Sequence, residues 1–311
     1  MRTHLVALLL LCGPAALRAA PIDPCLPDDA TLVLTVNVRQ LVDAPLAKQL
    51  FPQGPSAYFA AAPSFVREAT QTFALDLTRE VDALVLAGGA PQHFDRGVLI
   101  LRGKFDLPKA HAAARAWAAK HPDGLQIVKA GGRLIYQWKV GNAPAACFLD
   151  DGTLVVAAVR AQIDECIARK DGKKTAAVSP EMKALLEKTD GRHGIRLALL
   201  VTEDLKKLLG STPETERLFA HFVSFSGGCT VGDGFQITGA LLTKDGKAAA
   251  EVRQFAEGLK AILSLAASDS KDNPTLRAAV VAAVKVGSAG PVVTLTGALT
   301  KEQIDKLPKA P

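Results

Sequence analysis

One order of elements runs through this chain twice, and any fold must accommodate both passes. The stretch "DATLVLTVNV" is rich in β-branched residues and reads as a strand, and "RQLVDAPLAKQL" behind it has apolar residues at helical spacing. A Pro- and Gly-bearing stretch from Phe51 to Pro55 follows, then a helix through Phe65 and Phe73, then the strand pair "VDALVLAGG" and "RGVLILRG". Asp106 as N-cap and Pro108 in the first turn open a helix whose Ala110, Ala114 and Trp117 share a face. Four short strands fill Leu125 to Val159, turning at Gly131-Gly132 and Asp151-Gly152, and a helix holding Cys166 ends the first pass.

The polar stretch "RKDGKKTAAVSP" separates the passes. Beyond it, Ser179-Pro180-Glu181 starts a helix, "GIRLALLVTEDLKKLLG" repeats the strand-to-helix opening, and Thr212-Pro213 starts another helix. A strand pair turns at Gly232-Asp233-Gly234, and a long helix follows whose Ala248, Val252, Phe255, Leu259, Ile262 and Ala266 form one stripe, the spacing for packing on a sheet. A hairpin then feeds a short helix in which Thr300 and Gln303 are placed as a capping box. Strands joined by hairpins must be antiparallel, and amphipathic helices need a sheet face to cover. The expectation is an α+β fold: a tandem repeat of one unit, with antiparallel sheets and helices packed on one face. The units would span residues 20–178 and 179–311, the second lacking one hairpin of the first.

The motifs "LPDDATLVLTVNVRQLVDAPLAKQL", "VDALVLAGG" and "RGVLILRGKFDLPKAHAAARAW" together resemble a loose group of exported bacterial proteins of unknown function. That resemblance implies export and carries no catalytic residues across.

Residues 1–19 have the order of a secretory signal peptide: Arg2, an apolar run from Leu5 to Leu11, then "GPAALRAA", with cleavage expected after Ala19. No segment has the roughly 20 uninterrupted apolar residues of a bilayer-spanning helix, so the mature chain is expected to be soluble, in the periplasm or outside the cell. Loss of Arg2 and Arg18 leaves 35 basic against 31 acidic residues, a mild excess without the basic stripe and stacking aromatics that nucleic acid requires.

Cys25, Cys147, Cys166 and Cys229 remain after cleavage, an even number that permits disulfides in an exported protein. A two-residue turn at Asp151-Gly152 places Cys147 opposite Val156, and a helix folding back over that strand brings Cys166 above Cys147. The favoured bridges are Cys147 with Cys166 and, by elimination, Cys25 with Cys229; buried free thiols are the alternative. The corner "LRGKFDLPKA" occurs again as "ITGALLTKDG" and "LTGALTKEQI". Its Gly103, Gly239 and Gly297 are read as structural corners between strand and helix rather than phosphate grips, because Lys104 varies among the copies while glycine and an apolar residue persist.

No P-loop, dinucleotide fingerprint, G-x-S-x-G elbow, HExxH or CxxC occurs, so no cofactor or metal is implied. Among the histidines, His93 lies in a loop beside Asp95, His121 ends a helix, and His221 precedes Cys229 by eight residues, while His111 and His193 carry no motif. The reading is a non-enzymatic binding or scaffold protein for an unknown protein, cell-envelope or small-molecule partner. Its alternatives are a carrier of an amphiphile or lipid in an apolar cleft between sheet and helices, and a hydrolase with a dispersed site.

Overall fold

The computed structural model describes residues 22–50, 64–89, 97–139, 143–175, 178–209, 212–268 and 274–307. The signal segment, the stretch from Phe51 to Pro55, His93 and Asp95 lie outside the described residues. The fold is mixed α and β. Its strands are β1 (Leu32–Asn37), β2 (Val81–Gly88), β3 (Val98–Gly103), β4 (Leu125–Ala130), β5 (Arg133–Trp138), β6 (Ala145–Asp150) and β7 (Thr153–Ala157), then β8 (Ile195–Leu200), β9 (Phe222–Val231), β10 (Phe235–Thr243), β11 (Lys285–Ala289) and β12 (Val292–Leu299).

All twelve belong to one sheet, in the order β11-β12-β10-β9-β8-β1-β2-β3-β7-β6-β5-β4, and every neighbouring pair is antiparallel. The two passes of the sequence meet at the centre, where β1 pairs with β8 from Leu32↔Leu199 to Val36↔Ile195. Outward from that seam one half runs β1-β2-β3-β7-β6-β5-β4 and the other β8-β9-β10-β12-β11.

Helices cover both faces of the sheet, not one as the periodicity suggested. On the first face Val33, Val85, Ile100, Cys147 and Val155 pack with Ile163 and Cys166 of the helix Arg160–Lys170 and Met182 of the helix Pro180–Lys188. On the second, Leu99, Leu101, Phe148, Leu154 and Val156 pack with Val66, Ala69 and Phe73 and with Ala110 and Ala114 of the helix Leu107–Lys120. Phe73 stands edge-on to Tyr136 at 4.8 Å and to Phe148 at 5.1 Å between ring centroids. The physical reason is legible in β7: "TLVVA" is buried throughout and does not alternate, as a strand covered on both sides must not. Each such Leu or Val contributes roughly 1.5–3 kcal/mol by leaving water.

The caps follow the sequence. Asp106 Oδ1 accepts from the Lys109 amide at 3.0 Å, Ser179 Oγ from the Met182 amide at 3.2 Å, and Thr300 and Gln303 cap one another reciprocally. The Asp151-Gly152 hairpin forms too, but an irregularity between Phe148 and Asp150 leaves Leu149 without a partner, so Cys147 faces Val155 rather than Val156.

The long helix Gly246–Ser268 departs further from expectation. Ala248 and Val252 are buried, whereas Phe255, Leu259 and Ile262 are 45%, 44% and 64% exposed. The helix lies against β11, β12 and β10 and against the helix Pro274–Ala283, and among the described residues the buried part of its stripe ends at Val252.

The three glycines also differ from a common corner. Gly103 ends β3, but Gly239 and Gly297 lie inside β10 and β12. None has a positive φ; the constraint is close approach. A Cβ on Gly103 would sit 1.9 Å from the Glu80 carbonyl oxygen and one on Gly297 would sit 2.8 Å from that of Ala283, whereas one on Gly239 would meet the Phe225 ring at 3.2 Å. Gly103→Ala is therefore expected to destabilise the chain by roughly 3 kcal/mol or more in urea denaturation, because backbone must move. Gly239→Ala, where only a side chain must yield, costs clearly less; equal losses would contradict this account.

Candidate ligand-binding cavity

The seam between β1, β2 and β8 forms the floor of a cavity on the first face, of about 250 Å³. Strand alternation sets the floor: Val33 and Thr35 from β1, Ala83 and Val85 from β2, and Arg196 and Ala198 from β8. Thr35 lies directly opposite Arg196 on one side and Val85 on the other, and Val33 opposite Ala198. Ile22, Asp23 and Leu26 of the amino-terminal segment form one wall, and Leu186 and Thr189 at the end of the helix Pro180–Lys188 form another.

Most of this lining is aliphatic, and its polar groups fall into two sets. Asp23 is engaged: Oδ2 accepts from Arg102 Nη2 at 2.7 Å and Oδ1 from the Cys25 amide at 2.9 Å. The Thr189 hydroxyl donates to the Leu186 carbonyl at 2.7 Å. Arg196 and Thr35, by contrast, make no side-chain hydrogen bond or ion pair among the described residues. Burial lowers the pKa of Arg196, with Asp190 acting against this at a distance. The Asp190 carboxylate is taken by Arg192 at 2.6 Å, and hydrogen bonds from Arg192 hold its pKa at about 2. The guanidinium is thus partly desolvated without a close counter-charge, an arrangement that costs free energy until an acceptor arrives.

The described histidines make local contacts away from this cavity. His111 Nδ1 hydrogen-bonds the Tyr136 hydroxyl, and burial lowers its pKa and raises that of Tyr136 to about 12. His121 stacks on Trp117 and bonds its carbonyl, and His221 lies 3.5 Å from Glu251. His193 is 5% exposed and bridges two strands, with Nδ1 2.9 Å from Thr230 Oγ1 and Nε2 2.8 Å from Thr238 Oγ1. Among the described residues no carboxylate bonds either nitrogen; the two threonine hydroxyls fix the ring between the strands.

The four cysteines among the described residues are free thiols, and neither expected bridge is formed. Cys147 donates to its neighbour's carbonyl, Phe148 O, at 3.4 Å, and burial raises its pKa to about 12. Cys166 lies instead against Cys25, its Sγ 3.5 Å from the Cys25 carbonyl oxygen. Cys229 faces Ile195 and Ile237 on the other side of the seam, and burial raises its pKa. Among the described residues no group of three or more His, Cys, Asp or Glu could hold a metal, and no helix is long and apolar enough to cross a membrane.

Sequence motifs did not point to Arg196, yet the signal is present in "GIRLALL": one arginine inside an otherwise apolar strand at the centre of a sheet. Comparison with models of known protein families finds no match, and neither does comparison with curated proteins. Among solved structures, crystal form III of TP0453 matches over 92% of this chain and 96% of that one, with a TM-score of 0.54 at 11% identity. Crystal form IV of TP0453 matches over 93% and 97%, with a TM-score of 0.51 at 11% identity. At that identity the likeness concerns the fold alone.

Burial lowers the pKa of His193 below its ordinary 6.5, so the unfolded chain takes up the proton more readily than the folded one. Its contribution to stability is full above about pH 6.5 and is lost as pH falls from there towards the lowered value. Urea unfolding between pH 7.5 and 5.5 should show a fall in stability that is shallower in His193→Gln; parallel profiles would contradict the assignment.

Proposed function

We propose that this chain is an exported, non-enzymatic binding protein whose cavity takes a small amphiphile with an anionic head. The observation that carries the reading is Arg196, a partly buried cation with no ion pair among the described residues, opposite the Thr35 hydroxyl, which likewise has no partner among them, on an otherwise aliphatic floor. A carboxylate there would accept from both groups while its tail lay against Val33, Val85, Leu26 and Leu186. Size narrows the carrier alternative. A cavity of 150 Å³ holds benzene, so 250 Å³ accommodates on the order of ten non-hydrogen atoms, which favours a single short chain over a diacyl lipid as its occupant. The hydrolase reading finds no comparable support among the described histidines.

The matching outward strand orders support a second inference, that residues 20–178 and 179–311 are copies of one unit, with β4 and β5 the extra hairpin of the first. A reading in which the chain also docks on a larger partner is favoured by the exposed stripe of Phe255, Leu259, Ile262 and Leu263.

Titration calorimetry with octanoate, which has about the estimated number of atoms, tests the proposal. Binding with a Kd on the order of 0.1 mM is expected, given roughly 0.5 kcal/mol per atom. Arg196→Met should weaken it tenfold or more, since a hydrogen bond to a charged group contributes about 1.5–3 kcal/mol. The same variant should fold at least as stably as the natural chain, because it removes an uncompensated charge. Equal octanoate affinity in both proteins would sink the assignment.

A further inference from the structure

The amino-terminal segment is tied to the first face by charges that converge on one helix. Arg169, whose side chain is 2% exposed, reaches Glu165 at 2.8 Å and Asp28 at 3.8 Å, and Lys174 reaches the same two carboxylates at 3.2 and 3.7 Å. Asp23 is held by Arg102 at the other end of the segment. Between these anchors Cys25 is 1% exposed and rests on the helix Arg160–Lys170, where Ile163, Cys166 and Ile167 share the inward side. Cys166 is also 1% exposed, and its thiol donates to the Cys25 carbonyl at 3.5 Å, in the same buried cluster as the Cys25 side chain.

We infer that Cys25 and Cys166 form a disulfide in the protein made in an oxidising compartment, while Cys147 and Cys229 stay as thiols. The geometry separates this pair from its rivals: Cys147 bonds its own neighbour's carbonyl, and Cys229 points to the second face with Ile195 and Ile237. The oxidant is a small-molecule or protein disulfide. One thiolate attacks it to give a mixed disulfide and one released thiol; the second thiolate displaces the other. Two electrons and two protons leave the pair, one S–S bond forms in the chain and one breaks in the oxidant.

Timing follows from burial. In the folded reduced chain the Cys166 thiol is held protonated, first by its hydrogen bond with Cys25 and then by desolvation, so the exchange belongs to folding, before the helix docks. The bond would join positions 141 residues apart and fix the segment that supplies Ile22, Asp23 and Leu26 to the cavity wall. The bridge itself does not depend on the ligand reading.

The test is non-reducing peptide mapping of the full chain secreted to a bacterial periplasm. A linked Cys25–Cys166 peptide with Cys147 and Cys229 alkylated is the expected result. A Cys147–Cys166 or Cys25–Cys229 peptide, or four alkylated cysteines, would overturn the inference. As a second readout, reduction should lower Tm by roughly 5–15 °C for a bridge closing so long a loop. It should do so equally in Cys147→Ala, which leaves the pair intact, and no shift in either protein would count against the bridge.

Discussion

The antiparallel pairing of β1 with β8 is the interaction on which the rest of the molecule depends. It makes one sheet of two strand systems that are far apart in sequence, and it turns what would be two exposed edges into an interior seam. Thr35 and Arg196 face each other only because Val36 pairs with Ile195 and Leu34 with Leu197; a slip of one residue would send the guanidinium to the opposite face among leucines. Sheet closure and the chemistry of the cavity therefore rest on one register.

The seam also explains where polar groups are tolerated. Over β3, β7 and β6 both faces are packed, and the strands are apolar nearly throughout. At the seam the described residues that roof the first face come from the amino-terminal segment and the end of the helix Pro180–Lys188, and they leave room for a partly solvated cation beside Val33 and Ala198. The proposed Cys25–Cys166 bond bears on the same roof. It would hold the segment rigid over the floor, which lowers the ordering cost that any ligand must meet.

Much of the architecture was legible because local rules act locally. Asp106, Ser179 and Thr300 announced helix starts through their own backbone neighbours, and Asp151-Gly152 announced a hairpin. What the sequence withheld is set by distant packing. The unpaired Leu149 shifts the Cys147 register by one residue, and Phe255, Leu259 and Ile262 stay exposed despite a regular stripe. Cys166 rests against the backbone of Cys25, 141 residues away, rather than against Cys147 in the adjacent hairpin, since helix direction over a sheet is not encoded in spacing. The cavity escaped notice because its key residue has no motif: Arg196 is informative only once β8 is known to be central.

The most direct test of the account is side-chain NMR of the protein titrated with octanoate, following the Arg196 Nε–H resonance together with the methyl groups of Leu26, Val33, Val85 and Leu186. The account predicts that all five move on one binding curve while Leu34, Leu197 and Ile237 on the opposite face stay fixed. Movement confined to that opposite face, or an Arg196 signal that ignores the ligand, would contradict it.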